Sequence, residues 1–561
     1  MAPAPSRSGV RLVAVAMAFL LPVVYSTSVA AQAWTPRVAL VLVLGAFGLP
    51  RLSLLIRSDA RPAALAAIAF LAVAALATAL SPQPILSVFG LYNWGTGLLF
   101  VAALVGAWAL GASVDGAGTE PVENALIAGV LVNAIVAVVQ GGFSLGVDPF
   151  TRFEGRAAGL LGNPVYLATL AAGGLALVLP RVNSNLARWG SATVLVAAAL
   201  ELSGSRSALA IAVVVGIVML VRERRNAIRP VAALALGLVL GAMIGFAGGA
   251  TTGSGRVQAG GESVGTTARL HLWASAGHAV ANRPVLGSGP GLFGAATSRY
   301  RDLALVHAEG ADRRLVDAHN VVVEYATTTG LLGLSAVGVW LFLACRRAAG
   351  PLLWFAVLVF AMHLVEPQAV STTPLALLAL GVAGRADVRR AGRGEVVATA
   401  ALVVMALLAA TRLVWGDFEF RQAGLDFRGG PADAAARALS PWVEPAQVAG
   451  RVALYRSITT QAPQARRDAL GWNRQATRRN SRDPDAWSSL AEAQLYFGQP
   501  RSAARSFREA LRWDPWSVRA LNGLANAELA QGDKAPAVAA LQKSLRADAN
   551  QTKIKAQLAR L

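Results

Sequence analysis

The chain has 561 residues, of which 55% are hydrophobic and 15% are charged, and its formal net charge is +20. Soluble proteins carry roughly 25% charged residues, so this composition excludes an ordinary soluble enzyme. The positive charge does not indicate nucleic acid binding, because much of it lies in short segments between apolar stretches. Cys345 is the only cysteine, which excludes a disulfide framework and a thiolate metal cluster.

Apolar stretches recur through residues 1–415, and a bilayer-spanning helix needs about 20 apolar residues. They predict an all-α, polytopic membrane helix bundle of about 12–13 spans. The predicted segments are 12–30, 38–56, 62–80, 96–113, 123–140, 157–180, 190–203, 206–221, 230–249, 319–344, 351–366, 373–384 and 396–415. The first could be a cleaved signal peptide, but its long apolar core is followed directly by further spans, which favours an uncleaved helix.

Arginines in alternate connecting segments predict the orientation of the bundle. Cytoplasmic loops carry an excess of Arg and Lys, so the basic segments are predicted to be cytoplasmic. The loop 250–318 is then extracytoplasmic in a multi-pass protein of the cell (inner) membrane. The basic segments contain Arg51, Arg57, Arg61, Arg181, Arg188, Arg222, Arg224, Arg225, Arg229, Arg346, Arg347, Arg385, Arg389, Arg390 and Arg393.

The tail, 416–561, contains a repeat with a period of 34 residues, in which Trp487 corresponds to Leu521 and Gly498 to Gly532. This spacing resembles tetratricopeptide repeats and predicts a soluble α-solenoid. Such solenoids usually bind a protein partner, and a plain helical cap is the alternative. Because the last span follows a basic segment, the tail is predicted to lie on the same face as the loop 250–318.

Three cationic side chains are candidates for catalysis. His319 lies at the mouth of a predicted span, where a histidine is costly to place and can exchange a proton near neutral pH. Arg206, in a tight turn at the outer face, is either an interfacial side chain or an anion clamp, and Glu201 could orient it. Arg269 lies on a predicted amphipathic helix at the membrane surface, where the alternative is a solvated arginine.

No ligand-spaced cluster of His, Cys, Asp and Glu is evident in the sequence. His271 and His278 are seven residues apart, and the outer loops contain no Asp-x-Asp pair. The sequence therefore predicts no metal and no cofactor.

Four islands in a fixed order resemble the O-antigen ligase and O-antigen polymerase superfamily of lipid-linked glycan transferases, over about residues 155–335. One departure is Val165, where the superfamily more often has a second asparagine. The islands are Gly159-Leu160-Leu161-Gly162-Asn163-Pro164-Val165-Tyr166-Leu167-Ala168, Ser203-Gly204-Ser205-Arg206-Ser207, Arg269 with Trp273 and Pro284-x-x-Gly287-x-Gly289, and Ala318-His319-Asn320.

The resemblance implies metal-independent, inverting transfer of a glycan from a polyprenyl pyrophosphate to an acceptor hydroxyl, in cell-envelope polysaccharide biosynthesis. His319 would be the base, and Arg206 and Arg269 would stabilise the pyrophosphate. Further substrate contacts are assigned to Arg156, Asn163, Ser205 and Asn320. The acceptor, whether lipid, glycan or protein, stays open, and so does the choice between a ligase, a polymerase and a protein O-oligosaccharyltransferase. A lipid-linked glycan transporter and a tetratricopeptide scaffold are the alternatives from other classes.

Overall fold

The structure is a computed structural model that describes residues 7–93, 96–143, 145–258, 264–311, 313, 316–388, 391–426 and 429–561. Helices joined by turns make up most of these residues, and no β-strand occurs among them. The predicted all-α class is confirmed.

Eleven α-helices precede the loop 250–318 in the described chain. They are α1 (Arg7–Val23), α2 (Thr35–Gly48), α3 (Leu52–Leu55), α4 (Arg61–Ala79), α5 (Pro84–Phe89), α6 (Leu98–Ala112), α7 (Thr119–Gly142), α8 (Pro164–Val178), α9 (Ser191–Leu202), α10 (Arg206–Glu223) and α11 (Ile228–Gly248). The loop itself contains α12 (Gly253–Gln258), α13 (Val264–Asn282), α14 (Phe293–Thr297) and α15 (Leu303–Glu309).

Apolar helices resume after the loop and lead into the tail. The apolar helices are α16 (Val321–Cys345), α17 (Pro351–Met362), α18 (Thr373–Ala383) and α19 (Arg393–Asp426). The tail continues with α20 (Gly429–Ala438), α21 (Val443–Thr460), α22 (Pro463–Arg479), α23 (Pro484–Tyr496), α24 (Pro500–Trp513), α25 (Val518–Leu529), α26 (Lys534–Ala547) and α27 (Thr552–Leu558).

Each predicted membrane segment overlaps a helix. By length and composition, seven segments of the described chain can cross a membrane: Thr35–Leu55, Arg61–Ala79, Gly116–Gly142, Pro164–Arg181, Arg206–Gly248, Val321–Cys345 and Arg393–Gly424. The predicted 12–13 spans exceed this number for two reasons. The segment Arg206–Gly248 contains two predicted spans, and four apolar helices are shorter than 18 residues. The first segment is also displaced, because α1 ends at Val23 rather than at residue 30.

The membrane body packs around small and aromatic side chains. α1 packs on α7, α2 on α6 and α19, α4 on α16, α8 on α17, and α9 on α11. At the centre, the buried Trp340 ring lies 5.7 Å from that of Trp108 and 5.9 Å from that of Phe70. Outside, α10, α11 and α19 expose large apolar side chains such as Phe246 and Leu408. An outward apolar surface of this extent is typical of a membrane protein.

The two ends of this bundle differ in what lies against them. At the end that carries the arginine-rich segments, Arg347 pairs with Asp59 at 2.6 Å and Arg57 approaches Glu395 at 3.9 Å. At the opposite end, the loop 250–318 and the tail lie against each other. We refer to these as the basic end and the loop end.

The tail is joined to the membrane body by one uninterrupted helix. α19 runs for 34 residues from Arg393 to Asp426, so the predicted domain boundary at 415/416 falls inside it. Beyond the apolar stretch, Asp417 accepts hydrogen bonds from the hydroxyls of Thr35 and Tyr92. These bonds connect the outer part of α19 to the start of α2 and to the segment after α5.

Helix pairs of the tail reproduce the 34-residue period. Gly498 and Gly532, one period apart, have φ angles of 71° and 87°, a region that glycine adopts without a steric penalty. They end the turns before α24 and α26. On α24, Ala503, Phe507 and Ala510 are buried at helical spacing. This arrangement confirms the predicted α-solenoid.

The tail also contacts the loop 250–318 directly. The Nη1 atom of Arg301 lies 2.8 Å from Oδ2 of Asp514, and both side chains are almost fully buried. Nearby, His307 Nε2 lies 2.7 Å from the carbonyl oxygen of Arg546. These contacts fix the solenoid over the loop end of the bundle.

Candidate functional site

Polar side chains from four parts of the chain meet at the loop end of the membrane body. Their centre is Glu366, on the connection between α17 and α18, whose side chain is buried. One of its oxygens lies 3.5 Å from Nη2 of Arg269 on α13. The other accepts a hydrogen bond of 3.4 Å from the hydroxyl of Ser207 on α10. Glu366 therefore links the beginning of α10 to the amphipathic helix α13.

The charge of Glu366 reflects two opposed effects. Burial raises the pKa of Glu366, whereas Arg269, His319, the Ser207 hydroxyl and Arg156 lower it, with burial the larger effect. A buried carboxylate surrounded by cations is costly to ionise, yet its anion is stabilised by each cation. Glu366 thus interacts with three of the predicted site residues, Arg156, Arg269 and His319.

His319 is held by its backbone in an uncommon conformation. Its φ angle is 48°, and its N–H donates a 2.8 Å hydrogen bond to Oδ1 of Asp317. The preceding residue is fixed as well, because the indole of Trp273 donates to the carbonyl of Ala318 at 2.9 Å. Strained backbone of this kind is concentrated at functional sites.

The His319 ring lies near the same carboxylate. Its Nδ1 atom is 3.7 Å from Oδ1 of Asp317 and, although buried, makes no hydrogen bond to any described residue. About one third of the His319 side chain is exposed. The ring is therefore both accessible and next to a carboxylate.

Arg206 is placed by the turn that begins α10. The Ser205 hydroxyl accepts a 3.3 Å hydrogen bond from the N–H of Ala208, which caps the helix and puts Arg206 in its first turn. Gly204 has a φ of 66°, and a Cβ atom there would lie 2.7 Å from Cδ of Arg156. Because glycine has no Cβ atom, the Arg156 side chain can pack directly against this turn.

A fourth arginine, Arg256 of α12, completes the group. It donates a 2.9 Å hydrogen bond to the carbonyl of Gly204. Burial, and then the charges of Arg156 and Arg206, lower the pKa of Arg256, while Glu366 acts in the opposite sense. These guanidinium groups are thus close enough to repel one another. We call this set the Glu366 site; it consists of Arg156, Arg206, Arg256, Arg269, His319 and Glu366.

Glu201, the residue predicted to orient Arg206, makes a different contact. Glu201 does not orient Arg206: its Oε1 accepts a 2.8 Å hydrogen bond from the N–H of Ser254 at the start of α12. Glu201 lies before the serine turn and faces α12 rather than the start of α10. Its role is to hold α12, and with it Arg256, against the turn.

Two predicted substrate-binding residues have structural contacts. Asn163 caps α8 by accepting a 2.9 Å hydrogen bond from Val165 N–H. Asn320 caps α16 by accepting from Val322 and Val323, and its amide donates to the carbonyl of Leu364 at 2.9 Å. Like Ser205, these side chains position the backbone around the site. Direct contact between them and a substrate stays a prediction.

A cavity of about 450 Å³ adjoins the site on the side of α8. Its lining includes Asn163, Tyr166 and the buried Arg37. Tyr166 also lies within electrostatic range of Asp317 and Glu366, so one wall of the cavity lies near the site. The size falls in the range of small-molecule sites, about 300–1,000 Å³.

No group of three or more metal-ligating side chains was found among the described residues. His271 is engaged elsewhere, with its Nδ1 atom 2.6 Å from Oδ2 of Asp302. The predicted independence from metal ions is a matter for experiment.

Glu366 and Arg256 were not predicted from the sequence as residues of the site. The signal for Glu366 was present: it is an isolated carboxylate that closes the apolar segment 351–366, and ionisable residues at such places are often functional. Arg256 gave no comparable signal, because it lies in a polar stretch rich in glycine and serine.

The fold and the site define a helical membrane protein with an arginine-rich, histidine-containing centre at one end. Residues 191–338 match the family model described as O-antigen ligase, and residues 494–561 match a tetratricopeptide repeat. One part of the chain is thus similar to O-antigen ligases and its last part to tetratricopeptide repeats, which confirms the resemblance found in the sequence islands. The match includes Arg206, Arg269 and His319, whereas Glu366 lies beyond it.

Other comparisons add little. The search of curated proteins found no match. Among solved structures, YrrB, described as a TPR protein with an unusual peptide-binding site, is 14% identical with a TM-score of 0.23 and covers 30% of this chain and 84% of its own. A thermophilic TPR protein of Thermus thermophilus, TTC0263, is 19% identical with a TM-score of 0.22, covering 30% and 90%. TM-scores this low support no inference.

Proposed function

We propose that this protein transfers a glycan from a polyprenyl-pyrophosphate donor to an acceptor hydroxyl at the outer face of the cytoplasmic membrane. The reaction proceeds without a metal ion and with inversion at the anomeric carbon. The observation that carries the proposal is the convergence of Arg156, Arg256, Arg269 and His319 on the buried carboxylate of Glu366, with Arg206 beside Arg256. The arginine-rich opposite end of the bundle supports the orientation.

The arginines provide the positive charge that the leaving group requires. When the sugar–phosphate bond breaks, its electron pair moves to a pyrophosphate oxygen, and negative charge develops there. Arg206 and Arg269 stabilise this charge, and Arg156 and Arg256 add positive charge beside them. Guanidinium groups suit the task because their fixed donors match phosphate oxygens, and each preorganised donor contributes ~3 kcal/mol.

His319 acts as the base on the acceptor. One ring nitrogen takes the proton of the acceptor hydroxyl as its oxygen forms the new bond to the anomeric carbon. The donor's carbon–oxygen bond breaks on the opposite face, which inverts the configuration. The imidazolium that results is stabilised by Asp317, 3.7 Å from Nδ1, and by Glu366. This chemistry is the same for lipid, glycan and protein acceptors.

The main test compares two histidine variants of the purified protein in a transfer assay with lipid-linked glycan. We expect His319→Ala to lose about 10²–10⁴-fold in turnover while binding the donor normally, because proton transfer matters only in the transition state. His271→Ala is the matched control and keeps near wild-type turnover. If the two results are reversed, His319 is not the base.

A second test concerns the metal. Transfer by the purified protein is expected to proceed at an unchanged rate in excess EDTA, since the arginines supply the charge stabilisation. Activity that disappears with the chelator and returns with Mg²⁺ or Mn²⁺ contradicts the arginine mechanism.

A further inference from the structure

A second group of arginines lies where the tail meets the loop 250–318. It combines Arg482 and Arg512 of the tail with Arg283 and Arg299 of the loop, and we call it the interface cluster. It shares no member with the Glu366 site, and neither the family match nor the proposed reaction assigns it a role.

On the tail side, one indole positions two arginines. The guanidinium carbon of Arg482 lies 4.9 Å from the ring centroid of Trp513, and that of Arg512 lies 5.4 Å from the same centroid. Arg482 comes from the turn between α22 and α23, and Arg512 from the last turn of α24. The aromatic ring therefore gathers cations from two successive repeats.

On the loop side, a short turn brings the other two arginines towards the tail. α24 packs against the turn Ser298–Tyr300. Within this turn the Arg299 guanidinium lies 4.6 Å from the ring centroid of Tyr300, which stacks on His278. Arg283, at the end of α13, donates a 3.2 Å hydrogen bond to the carbonyl of Leu80.

The four charges interact unfavourably in the protein alone. Burial, followed by the charges of Arg283, Arg299 and Arg512, lowers the pKa of Arg482. Within the described chain, Arg512 alone of the four has a carboxylate within 4.0 Å, that of Glu509 at 3.8 Å. Like charges that are close, partly buried and poorly paired indicate a place for an anion.

The cluster lies beside the lipid-facing surface. Leu80, whose carbonyl accepts from Arg283, follows the end of α4, and its side chain is 58% exposed. Ile85 and Val285 are exposed to a similar degree, 66% and 60%. In a membrane protein such side chains contact acyl chains, so Arg283 lies at the depth of the lipid headgroups. Arg482 also lines a cavity of about 600 Å³ between loop and tail.

We propose that the interface cluster binds the phosphate group of an anionic phospholipid from the surrounding bilayer. The four guanidinium groups surround the phosphate, and the exposed apolar side chains beside Leu80 contact the acyl chains. The bound lipid bridges loop and tail, so that the solenoid rests on the membrane surface through a lipid as well as through the Arg301–Asp514 pair. This site is independent of the proposed transfer reaction.

The test uses the full-length purified protein and phosphatidylglycerol, with lipid retention measured by native mass spectrometry. The double variant Arg482→Gln/Arg512→Gln is expected to retain phosphatidylglycerol at least about tenfold more weakly, because hydrogen bonds to charged groups are the strong ones. Arg501→Gln/Arg505→Gln removes the same charge from exposed positions of α24 and serves as the control. Arg482→Lys/Arg512→Lys, which keeps the charge, should recover part of the retention.

Competition distinguishes the sources of phosphate. Millimolar inorganic phosphate should leave the lipid bound, because it lacks the acyl chains; displacement at that concentration would show a general anion site and overturn the lipid assignment. A polyprenyl-pyrophosphate donor that displaces the lipid would show a donor site instead. Equal lipid retention by the Gln pair and its control, with both folded by circular dichroism, also overturns the proposal.

Discussion

The two arginine groups at the loop end contain four arginines each but differ in what lies at their centre. In the Glu366 site, a buried carboxylate approaches Arg269 at 3.5 Å. In the interface cluster, an indole ring lies under Arg482 and Arg512. One centre is a carboxyl group that becomes negative on ionisation, and the other carries only the partial charge of an aromatic face.

This difference has a consequence for the ligand. A carboxylate neutralises its cations and competes with an incoming anion, so the anion can bind and leave again. An aromatic face stabilises a cation without cancelling its charge. The full positive charge therefore remains available to the anion, which favours slow dissociation of the anion. The first arrangement suits turnover of a pyrophosphate donor, and the second suits a resident lipid. The predictions below test this contrast from the largest effect to the smallest.

Among the variants that test this contrast, the largest effect is expected for arginines of the Glu366 site. Arg206→Ala or Arg269→Ala should reduce transfer by about 10²–10³-fold, as expected for loss of one preorganised donor to a developing anion. Lysine at either position should recover only part, because a point charge cannot make bidentate contacts. Initial rates of glycan transfer by the purified variants provide the measurement.

The control for this experiment lies at the basic end. Arg225→Ala removes an exposed arginine there and should leave the rate unchanged. If Arg225→Ala lowers transfer as much as Arg206→Ala, the loss reflects general charge and not the site.

An intermediate effect is expected for Glu366→Gln. Without the carboxylate, the donor pyrophosphate meets no competing anion, so donor KM should stay equal or fall. The imidazolium of His319 loses a neighbouring anion, so kcat should fall about tenfold, less than the 10²–10⁴-fold typical for loss of the base itself. A lower kcat together with an equal or lower KM is a combination that a purely structural role would not produce. Exposed Glu120→Gln is the control.

Glu366→Gln should lower activity without lowering thermal stability at neutral pH. Burial raises the pKa of Glu366, so the folded protein holds this proton more tightly than the unfolded chain does. The resulting stabilisation is complete below the ordinary glutamate pKa and is lost as pH rises through the raised value. Glutamine has no such dependence. At neutral pH, Glu366→Gln should therefore melt no lower than the wild type, and a lower melting temperature contradicts this account.

The smallest effect on transfer is expected at the loop–tail contact. Asp514→Asn leaves Arg301 buried without its anion, which destabilises a buried pair by about 3–5 kcal/mol. Hydrogen exchange of α15 and α24 should accelerate, while transfer falls less than in Arg206→Ala. Asp548, one 34-residue period later, is the matched control. Asp514 and Asp548 each accept a bond from the N–H two residues on, but among described residues only Asp514 pairs with the loop. Equal exchange in Asp514→Asn and Asp548→Asn would contradict the predicted role of the contact.

The sequence allowed much of the fold to be predicted, because apolar segments and a 34-residue period are local signals. His319, Arg206 and Arg269 were predicted from motifs that remain readable without a structure. Glu366 was not, since its relation to Arg269 depends on packing across 97 residues of sequence. The caps formed by Ser205 and Asn320 show the same limit: their hydrogen bonds to the helices were not predicted, and their contact with a substrate stays a prediction.

The tail illustrates a second limit. The repeat predicted a solenoid, either for a protein partner or as a plain helical cap. It did not predict the contact with the loop through Arg301 and Asp514, which are 213 residues apart. Neither side chain is unusual in its own segment. The pairing follows from the path of the chain between them, which local patterns do not describe.

Because α19 is continuous, the number of residues in it determines how the solenoid is rotated relative to the membrane body. An α-helix turns by about 100° and rises 1.5 Å for each residue. One residue inserted between the apolar part of α19 and Asp417 would therefore rotate the following helix by that angle and strain the bonds to Thr35 and Tyr92. An insertion of seven residues nearly restores the phase and lifts the tail by about 10 Å. The length of this helix is thus a structural constraint on the protein, as specific as the identity of any side chain in its site.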